Sequence, residues 1–361
     1  MKSQLRGGAI LAAVAIVLAT NGCGKPAGPP PADQHYADDA TVLTLATAGG
    51  PDGRSAAQIK EFTRQVQEIS RGSLRIELVL KAAADEAGAW DQAVAQSTEG
   101  GDFDMALIPT RTWESEGVLS FAALSAPFLR PSDQVVTKLV APELAGGMLA
   151  GLKAVGLTGL ALLPDGPRML FSFDGPVTAP EQLAGKVVRA PRSSTGYATL
   201  KALGASPQSL AGDLFTDALD KGTVKAAESS FTRAGTFPQP STTTGNLPLY
   251  VKVNSLVINT NTNSHLAADD RRILLEAAAK TRDAATGATR HTADDAAAYC
   301  QQGGTIVEAT AAQIAAFEAA AAPIYAQLEK DAGTRALIAK IRALNATSGD
   351  ASPIAPCSPA G

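Results

Sequence analysis

The sequence is poor in the residues on which most catalytic and metal sites depend. Its 361 residues include three cysteines and three histidines. His35, His265 and His291 are far apart in the chain and do not form the paired spacing typical of metal ligands. The chain contains neither a G-x-S-x-G nucleophile motif nor a G-x-x-x-x-G-K-S/T phosphate loop. We therefore expect neither an enzyme nor a bound metal or cofactor.

The sequence also lacks a large excess of charge of one sign and long apolar runs. The chain carries 31 Lys and Arg against 35 Asp and Glu, for a formal net charge of −4. Because these charges form no basic stripe, the sequence predicts no nucleic-acid partner. The apolar run Ala9–Ala19 falls short of the roughly 18 residues that a transmembrane helix needs. With Lys2 and Arg6 before it, the run instead predicts a signal peptide over residues 1–22.

The cysteine that follows this run points to a lipid anchor. Gly22 and Cys23 resemble the cleavage site of bacterial lipoproteins, in which the cysteine is acylated. The resemblance implies a protein held by an N-terminal lipid on the extracytoplasmic face of the cell membrane, and ordinary secretion is the alternative. Residues 23–40 contain four prolines and few residues able to pack, which predicts an extended tether.

The other two cysteines form an even pair. In an exported chain, Cys300 and Cys357 favour one disulfide that would tie the C-terminal tail to the body. The loop-entropy model gives such a disulfide a stabilisation of about 4 kcal/mol. Two unpaired thiols are the alternative.

Strand and helix patterns alternate in the first half of the chain. Thr41–Thr47 is rich in β-forming residues, and a helix starting at Ser55 carries apolar residues three and four positions apart. A strand over Leu74–Leu80, a helix over Trp90–Thr98 and a strand over Phe103–Ile108 follow. This alternation predicts an α/β domain with a largely parallel sheet, whose ligand lies in loops beyond the carboxyl ends of the strands.

A second α/β set follows a turn-rich break at Pro164–Pro167, where we expect the first crossing between two domains. Tyr250–Asn254 is the expected second crossing. A body of about 310 residues exceeds what one hydrophobic core supports, which also predicts two domains. The stretch 267–302 lacks proline and is expected to be either one long helix bridging the domains or two helices broken at Gly287. The predicted divisions are 1–22 signal peptide, 23–40 tether, 41–165 plus 254–293 domain I, 166–253 plus 294–345 domain II, and 346–361 C-terminal tail.

Seven segments follow one another in a characteristic order. They are QIKEFTRQVQEISRGSLRIELV at 58–79, GGDFDMALIP at 100–109, APFL at 126–129, PVTAPEQLAGKVVRAP at 176–191, LGASP at 203–207, DALDKGTVKAAES at 217–229 and FEAAAAPIYAQL at 317–328. By their order and spacing, residues 42–345 resemble the solute-binding proteins of tripartite ATP-independent periplasmic (TRAP) transporters, of the C4-dicarboxylate-binding type. The resemblance implies an α/β, two-domain, periplasmic-binding-protein-like clamp, type II-like, that closes on a small organic acid.

The resemblance also assigns ligand-binding residues. In that family an arginine after the L-x-G-K turn holds the ligand carboxylate, and the matching residue here is Arg189. A guanidinium suits this role because its planar fork of donors meets a carboxylate bidentately and keeps its charge. A second family arginine matches Arg168, Glu228 takes the place of a family acid, and Ser229 stands where asparagine is common. Pairing of Arg189 with a surface acid and simple solvation of Arg168 are the alternatives.

Further cleft-lining candidates lie near predicted strand ends. Trp90, Thr110, Arg111 and Trp113 do so in the first domain, and Ser193 does so in the second. Large aromatic side chains at such places can wall the apolar part of a ligand. Core packing is the alternative for each tryptophan.

The sequence as a whole predicts a lipid-anchored solute-binding protein that delivers a small organic acid to TRAP membrane permease subunits. Its expected partners are the acid, those subunits and the membrane. Two alternatives share the clamp: a lipoprotein that reports its ligand to a membrane kinase, and an ABC-type binding protein. The order of the motifs favours the TRAP type.

Overall fold

The computed structural model describes residue 37 and residues 40–83, 88–289, 292–348 and 354–358. The predicted signal peptide, Cys23 and most of the predicted tether lie outside these ranges. In the described residues, no single helix is long and apolar enough to cross a membrane, although the bent pair Asp133–Val140 and Pro142–Val155 meets that test of length and composition together.

Ten strands of the described residues form one mixed sheet. The strands are β1 Thr41–Thr47, β2 Leu74–Leu80, β3 Met105–Pro109, β4 Leu157–Ser172, β5 Val187–Arg189, β6 Ser206–Gln208, β7 Val224–Ser229, β8 Thr242–Thr244, β9 Tyr250–Asn259 and β10 Thr305–Val307. Their order is β2-β1-β3-β9-β4-β7-β5-β6, and β8 pairs with both β4 and β10. Neighbouring strands are parallel in β2-β1-β3 and in β7-β5-β6, whereas β9 and β4 are antiparallel to their neighbours. The expected parallel pairing therefore holds at the two ends of the sheet and not at its centre.

Twelve α-helices of the described residues cover the sheet. They are α1 Arg54–Ser70, α2 Trp90–Gly100, α3 Asp133–Val140, α4 Pro142–Ala150, α5 Ser194–Ala202, α6 Gly212–Asp220, α7 Phe231–Ala234, α8 Thr260–His265, α9 Ala268–Thr289, α10 Thr292–Gln301, α11 Ala311–Leu328 and α12 Ala332–Ser348. In α1 the predicted spacing buries Ile59, Phe62 and Val66. The helix ends where Arg71 adopts a left-handed conformation (φ 54°), as helix C-termini commonly do.

The long strand β4 corrects the turn predicted at Pro164–Pro167. It runs without a break from Leu157 to Ser172, and its register against β9 shifts between Pro164 and Gly166. Proline cannot donate to a β ladder, and Gly166 has a φ of 115°, so the local sequence has the properties of a turn. A β-bulge accommodates these residues inside the strand, because the extra residue of a bulge is left out of the pairing.

Strands β4 and β9 connect the two halves of the sheet. The first twelve residues of β4 lie along β9, and Met169–Ser172 pairs with β7. Helix α11 also contributes to both halves, because Phe317 is buried in the core around β5 and Ile324 in the core around β3. The connection predicted for 267–302 is described as α9 and α10, with residues 290 and 291 outside the described ranges. Gly287, the expected break in the two-helix alternative, lies within α9, which continues to Thr289.

The predicted disulfide is confirmed. Cys300 at the end of α10 is bonded to Cys357, with a Cα–Cα distance of 6.3 Å. The Cys357 backbone exchanges two hydrogen bonds with Ile306 of β10, each 3.0 Å long. The described part of the C-terminal tail is therefore attached to the sheet covalently and by backbone pairing.

Candidate ligand-binding site

Sheet register brings three of the polar residues together at the centre of the molecule. Leu170 of β4 lies opposite Glu228 of β7, and Arg168 lies opposite Tyr250 of β9. Arg168 Nε donates to Glu228 Oε1, its Nη2 lies 3.3 Å from the Glu228 carbonyl oxygen, and Tyr250 Oη donates to Glu228 Oε1 at 3.2 Å. All three side chains are almost fully buried. The charge of Arg168 is therefore already balanced by Glu228.

The environment of Glu228 keeps it ionised. Burial alone would raise the pKa of its carboxyl group, but the charge and hydrogen bond of Arg168 outweigh burial and hold this pKa below its usual range. Oε2 of Glu228, in contrast, is buried without a hydrogen-bond partner among the described residues. A carboxylate oxygen in this state is an acceptor available to a ligand hydroxyl or amine.

Arg189 is a half-buried cation of a different kind. It ends β5, its Nε donates to the Leu210 carbonyl at 2.9 Å, and its Nη1 lies 3.4 Å from the Glu228 carbonyl oxygen. Its guanidinium carbon lies 5.6 Å from the Trp90 ring centroid and 5.5 Å from that of Phe215. No carboxylate of the described residues lies within ion-pair distance of it. Burial lowers the pKa of Arg189 to about 10, which leaves it positively charged at neutral pH.

A third arginine approaches from the other half of the sheet. Arg111 lies in the 3-10 turn that follows β3 and is 6% exposed. Its Nη2 donates to Asp91 Oδ2 at 2.5 Å, and Asp91 is in the first turn of α2. Its Nε and Nη1 have no hydrogen-bond partner among the described residues. Glu228 and Arg168 are near enough to affect the pKa of Arg111, so the three arginines occupy one region.

The structure does not bring every predicted residue into this cluster. Trp113 is fully buried in the core, and its Nε1 donates to Ser255 Oγ at 2.8 Å. Thr110 donates to the Val253 carbonyl at 3.1 Å. Core packing, the alternative reading of the tryptophans, thus describes the position of Trp113 but not that of Trp90.

The two predicted serines lie nearer to the cluster. Ser193 caps α5 by accepting from the Gly196 amide at 3.2 Å. Ser229 is buried, and its hydroxyl has no hydrogen-bond partner in the described ranges. Ser193, Glu228 and Tyr250 line a cavity of about 20 Å³, which has room for about one water molecule.

Two hydrogen-bonded contacts join the halves beside this cavity. Glu114 Oε2 accepts from the backbone amide of Thr195 at 3.0 Å and from its hydroxyl at 2.6 Å, at the N-terminus of α5. Gln92 Nε2 lies 3.2 Å from the Arg192 carbonyl oxygen. A carboxylate at a helix N-terminus is stabilised by the exposed amides and the helix dipole. Burial nevertheless raises the pKa of Glu114.

An ion pair holds the bulged part of β4. Asp165 Oδ2 accepts from Lys252 Nζ at 2.9 Å, from Asn254 Nδ2 at 2.9 Å and from Ser55 Oγ at 2.7 Å. Burial alone would raise the pKa of Asp165, but Lys252 and the hydrogen bonds outweigh it and hold this pKa below its usual range. The pair ties the start of α1 to both central strands.

Sequence reasoning missed Asp91, Phe215 and the role of Tyr250. Asp91 directly follows Trp90, but only the fold shows that it is buried against Arg111. Within the described residues, no three His, Cys, Asp or Glu side chains converge as they would around a metal ion.

Comparisons with known proteins agree with this geometry. Residues 46–331 match the model of the family described as bacterial extracellular solute-binding protein, family 7. The C4-dicarboxylate-binding periplasmic protein DctP of Rhodobacter capsulatus is 26% identical over 295 residues, which is 80% of this chain and 86% of the relative.

Solved structures show the same fold. A TRAP periplasmic solute-binding protein from Ralstonia eutropha with bound (S)-2-acetolactate has a TM-score of 0.74 at 22% identity, covering 85% of this chain and 99% of that one. A sugar acid binding protein from Advenella mimigardefordensis in complex with galactonate has a TM-score of 0.73 at 19% identity, covering 86% and 99%.

A two-domain fold of the periplasmic-binding-protein type, with charged groups converging between its halves, defines a solute-binding clamp. The chain belongs to the bacterial extracellular solute-binding proteins of family 7. The resemblance to TRAP solute-binding proteins that the sequence predicted is confirmed.

Proposed function

We propose that this protein binds the carboxylate of a small organic acid at Arg189 and delivers the acid, chemically unchanged, to the membrane subunits of a TRAP-type transporter. One observation carries the proposal: the charged Arg189 guanidinium is half-buried against the rings of Trp90 and Phe215 and has no carboxylate partner among the described residues. A buried charge without a partner is strongly unfavourable, whereas a paired one is tolerated. An organic anion supplies the missing partner.

The named ligands of related proteins support this choice. The Rhodobacter relative is named for C4-dicarboxylates, and the two solved structures hold acetolactate and galactonate. All of these are organic acids. Delivery to a TRAP permease follows from the family and from the TRAP solute-binding proteins that share the fold.

We place the acid between domain I, residues 41–165 plus 254–293, and domain II, residues 166–253 plus 294–345. Only a ligand that contacts both domains shifts the population toward a closed clamp. Thr110 and Trp113 support the site from the core of domain I. The proposed ligand-contacting residues are Arg189, Arg168, Glu228, Ser229, Ser193 and Trp90.

The test is direct titration of the purified protein with a panel of small carboxylates, using calorimetry. Arg189→Ala is expected to weaken binding at least tenfold, and Arg189→Lys should also bind weakly because lysine lacks the planar fork. Arg192→Ala is the matched control, since it removes an exposed arginine three residues away. Wild-type affinity in Arg189→Ala would refute the assignment.

We also propose that Cys23 carries the lipid that holds the protein on the extracytoplasmic face. In cells given a radiolabelled fatty acid, the wild-type protein should be labelled and should sediment with membranes. Cys23→Ala should lose the label and appear in the soluble extracytoplasmic fraction. An unlabelled wild-type protein would favour ordinary secretion.

A further inference from the structure

One of the charged groups around Glu228 has no partner of opposite charge in the described residues. In the described residues, the buried or half-buried cations around Glu228 are Arg111, Arg168, Arg189 and Lys252, and the buried carboxylates paired with cations of this set are Asp91, Asp165 and Glu228. Each carboxylate is bonded to one cation: Arg111 to Asp91, Arg168 to Glu228 and Lys252 to Asp165. Arg189 is the cation left over. It is therefore the one cation of this set that has no carboxylate partner in the described residues.

We propose that this clamp selects acids with a single negative charge, and that Asp91 sets the selection by neutralising Arg111. The inference rests on the proposed function, because it assumes that Arg189 receives a ligand carboxylate. A monoanion supplies the one carboxylate partner that Arg189 lacks. A dianion would bury a second carboxylate opposite cations that already have partners, and unpaired buried charge is unfavourable.

The unpartnered atoms indicate what else the ligand carries. Arg111 Nε and Nη1 are donors, Glu228 Oε2 is an acceptor, and Ser229 Oγ can be either. Asp91 already balances the charge of Arg111. A neutral keto or hydroxyl oxygen of the ligand can therefore accept the hydrogen bonds that Arg111 Nε and Nη1 offer. Glu228 Oε2 needs a hydroxyl donor. The best-matched ligand is a monocarboxylate bearing hydroxyl or keto groups.

This conclusion differs from what the name of the Rhodobacter relative would suggest, since that protein is named for C4-dicarboxylates. The expected preference for monoanions over dicarboxylates depends on the ion pair between Arg111 and Asp91. Were Asp91 absent, Arg111 would be a second uncompensated guanidinium, in the opposite half of the sheet from Arg189. Two such cations facing one cleft would suit a dicarboxylate.

The experiment compares matched acids that differ by one charge: galactonate with galactarate, glycerate with tartronate, and malamate with malate. Calorimetry on the wild-type protein should show preference for the monoanion of at least tenfold in each pair that binds. Asp91→Asn leaves the charge of Arg111 without a partner. In this variant the ratio of monoanion affinity to dianion affinity should fall at least tenfold. A structural effect alone would weaken both members of a pair equally.

A double variant controls for damage at this buried pair. Asp91→Asn with Arg111→Gln restores the wild-type charge balance and should restore the preference for monoanions. Tight binding of dianions by the wild-type protein, or an unchanged preference in Asp91→Asn, would overturn the inference while leaving Arg189 as the carboxylate site. If no acid binds, or if Arg189→Ala binds normally, the proposed function fails together with this inference.

Discussion

The Arg189 guanidinium packs against the Trp90 ring, with 5.6 Å between the guanidinium carbon and the ring centroid. One residue ends β5 and the other begins α2, so the contact joins the two halves of the molecule. Phe215 contacts the same guanidinium at 5.5 Å. The two rings exclude water from Arg189 without neutralising it, which strengthens its attraction for an anion.

Removing the Trp90 ring tests this arrangement. Trp90→Ala should weaken acid binding about tenfold, because a desolvated cation–π contact is worth about 1–2 kcal/mol. Calorimetry with the best acid of the panel measures the change. Trp113→Phe is the contrasting variant: it disrupts a core hydrogen bond to Ser255, so the melting temperature should fall while affinity stays within about twofold. Equal loss of affinity in both variants would contradict the assignment of Trp90 to the binding site and of Trp113 to the core.

The contact between Glu114 and α5 should favour the closed clamp. Glu114→Gln removes the negative charge that faces the amide of Thr195, and we expect affinity to fall about twofold to fivefold, in line with about 0.3–1 kcal/mol for a charge at a helix N-terminus. Small-angle scattering with ligand should show a larger fraction of open molecules. Glu116→Gln makes the same charge change two residues away and should bind normally. Normal binding by Glu114→Gln would show that closure does not need this contact.

Asp165 should make stability depend on pH at the acid end. Its folded pKa lies below the ordinary value of 3.8, so the stabilisation is complete well above 3.8 and is lost as pH falls from that value through the lower folded pKa. Asp165→Asn should lower the free energy of unfolding at pH 7 by about 3–5 kcal/mol, because Lys252 is left buried and unpaired. Urea titrations at a series of pH values measure both effects.

The control for that experiment removes both charges. Asp165→Asn with Lys252→Met should recover much of the stability lost in the single variant, since an uncharged pair leaves no uncompensated ion. The single variant should also lack the part of the acid dependence that Asp165 supplies. An identical acid dependence in Asp165→Asn and wild type would show that Asp165 does not titrate as inferred.

Most regular elements could be predicted because their signals are local. The strand over Thr41–Thr47 and the strand over Leu74–Leu80 have the predicted bounds, and α1 differs by one residue at its start. Hydrophobic periodicity and β propensity are properties of short segments, and these segments adopt in the fold the structure that their local sequence favours. The turn predicted at Pro164–Pro167 was wrong because a contact distant in sequence decides the structure there. The residues themselves suit a turn, and pairing with β9 keeps them in a strand.

The candidate site was harder to predict, because burial and charge pairing arise from contacts distant in sequence. Motif position identified Arg168, Arg189 and Glu228, but nothing local distinguishes Trp90, which packs on an arginine, from Trp113, which fills the core. The pairing of Arg111 with Asp91 spans twenty residues and depends on how α2 packs beside β3. The charge balance of the cleft therefore emerges only from the assembled fold.

The prolines of the bulged strand bear on how stiff the protein is. Pro164 and Pro167 provide no amide hydrogens to the ladder, and the register against β9 shifts between Pro164 and Gly166. The hydrogen bonds of Asp165 to Lys252, Asn254 and Ser55 lie at this same point. Side-chain bonds therefore hold β4 to β9 and to α1 where proline removes backbone donors, and the strand stays continuous between the two halves of the sheet.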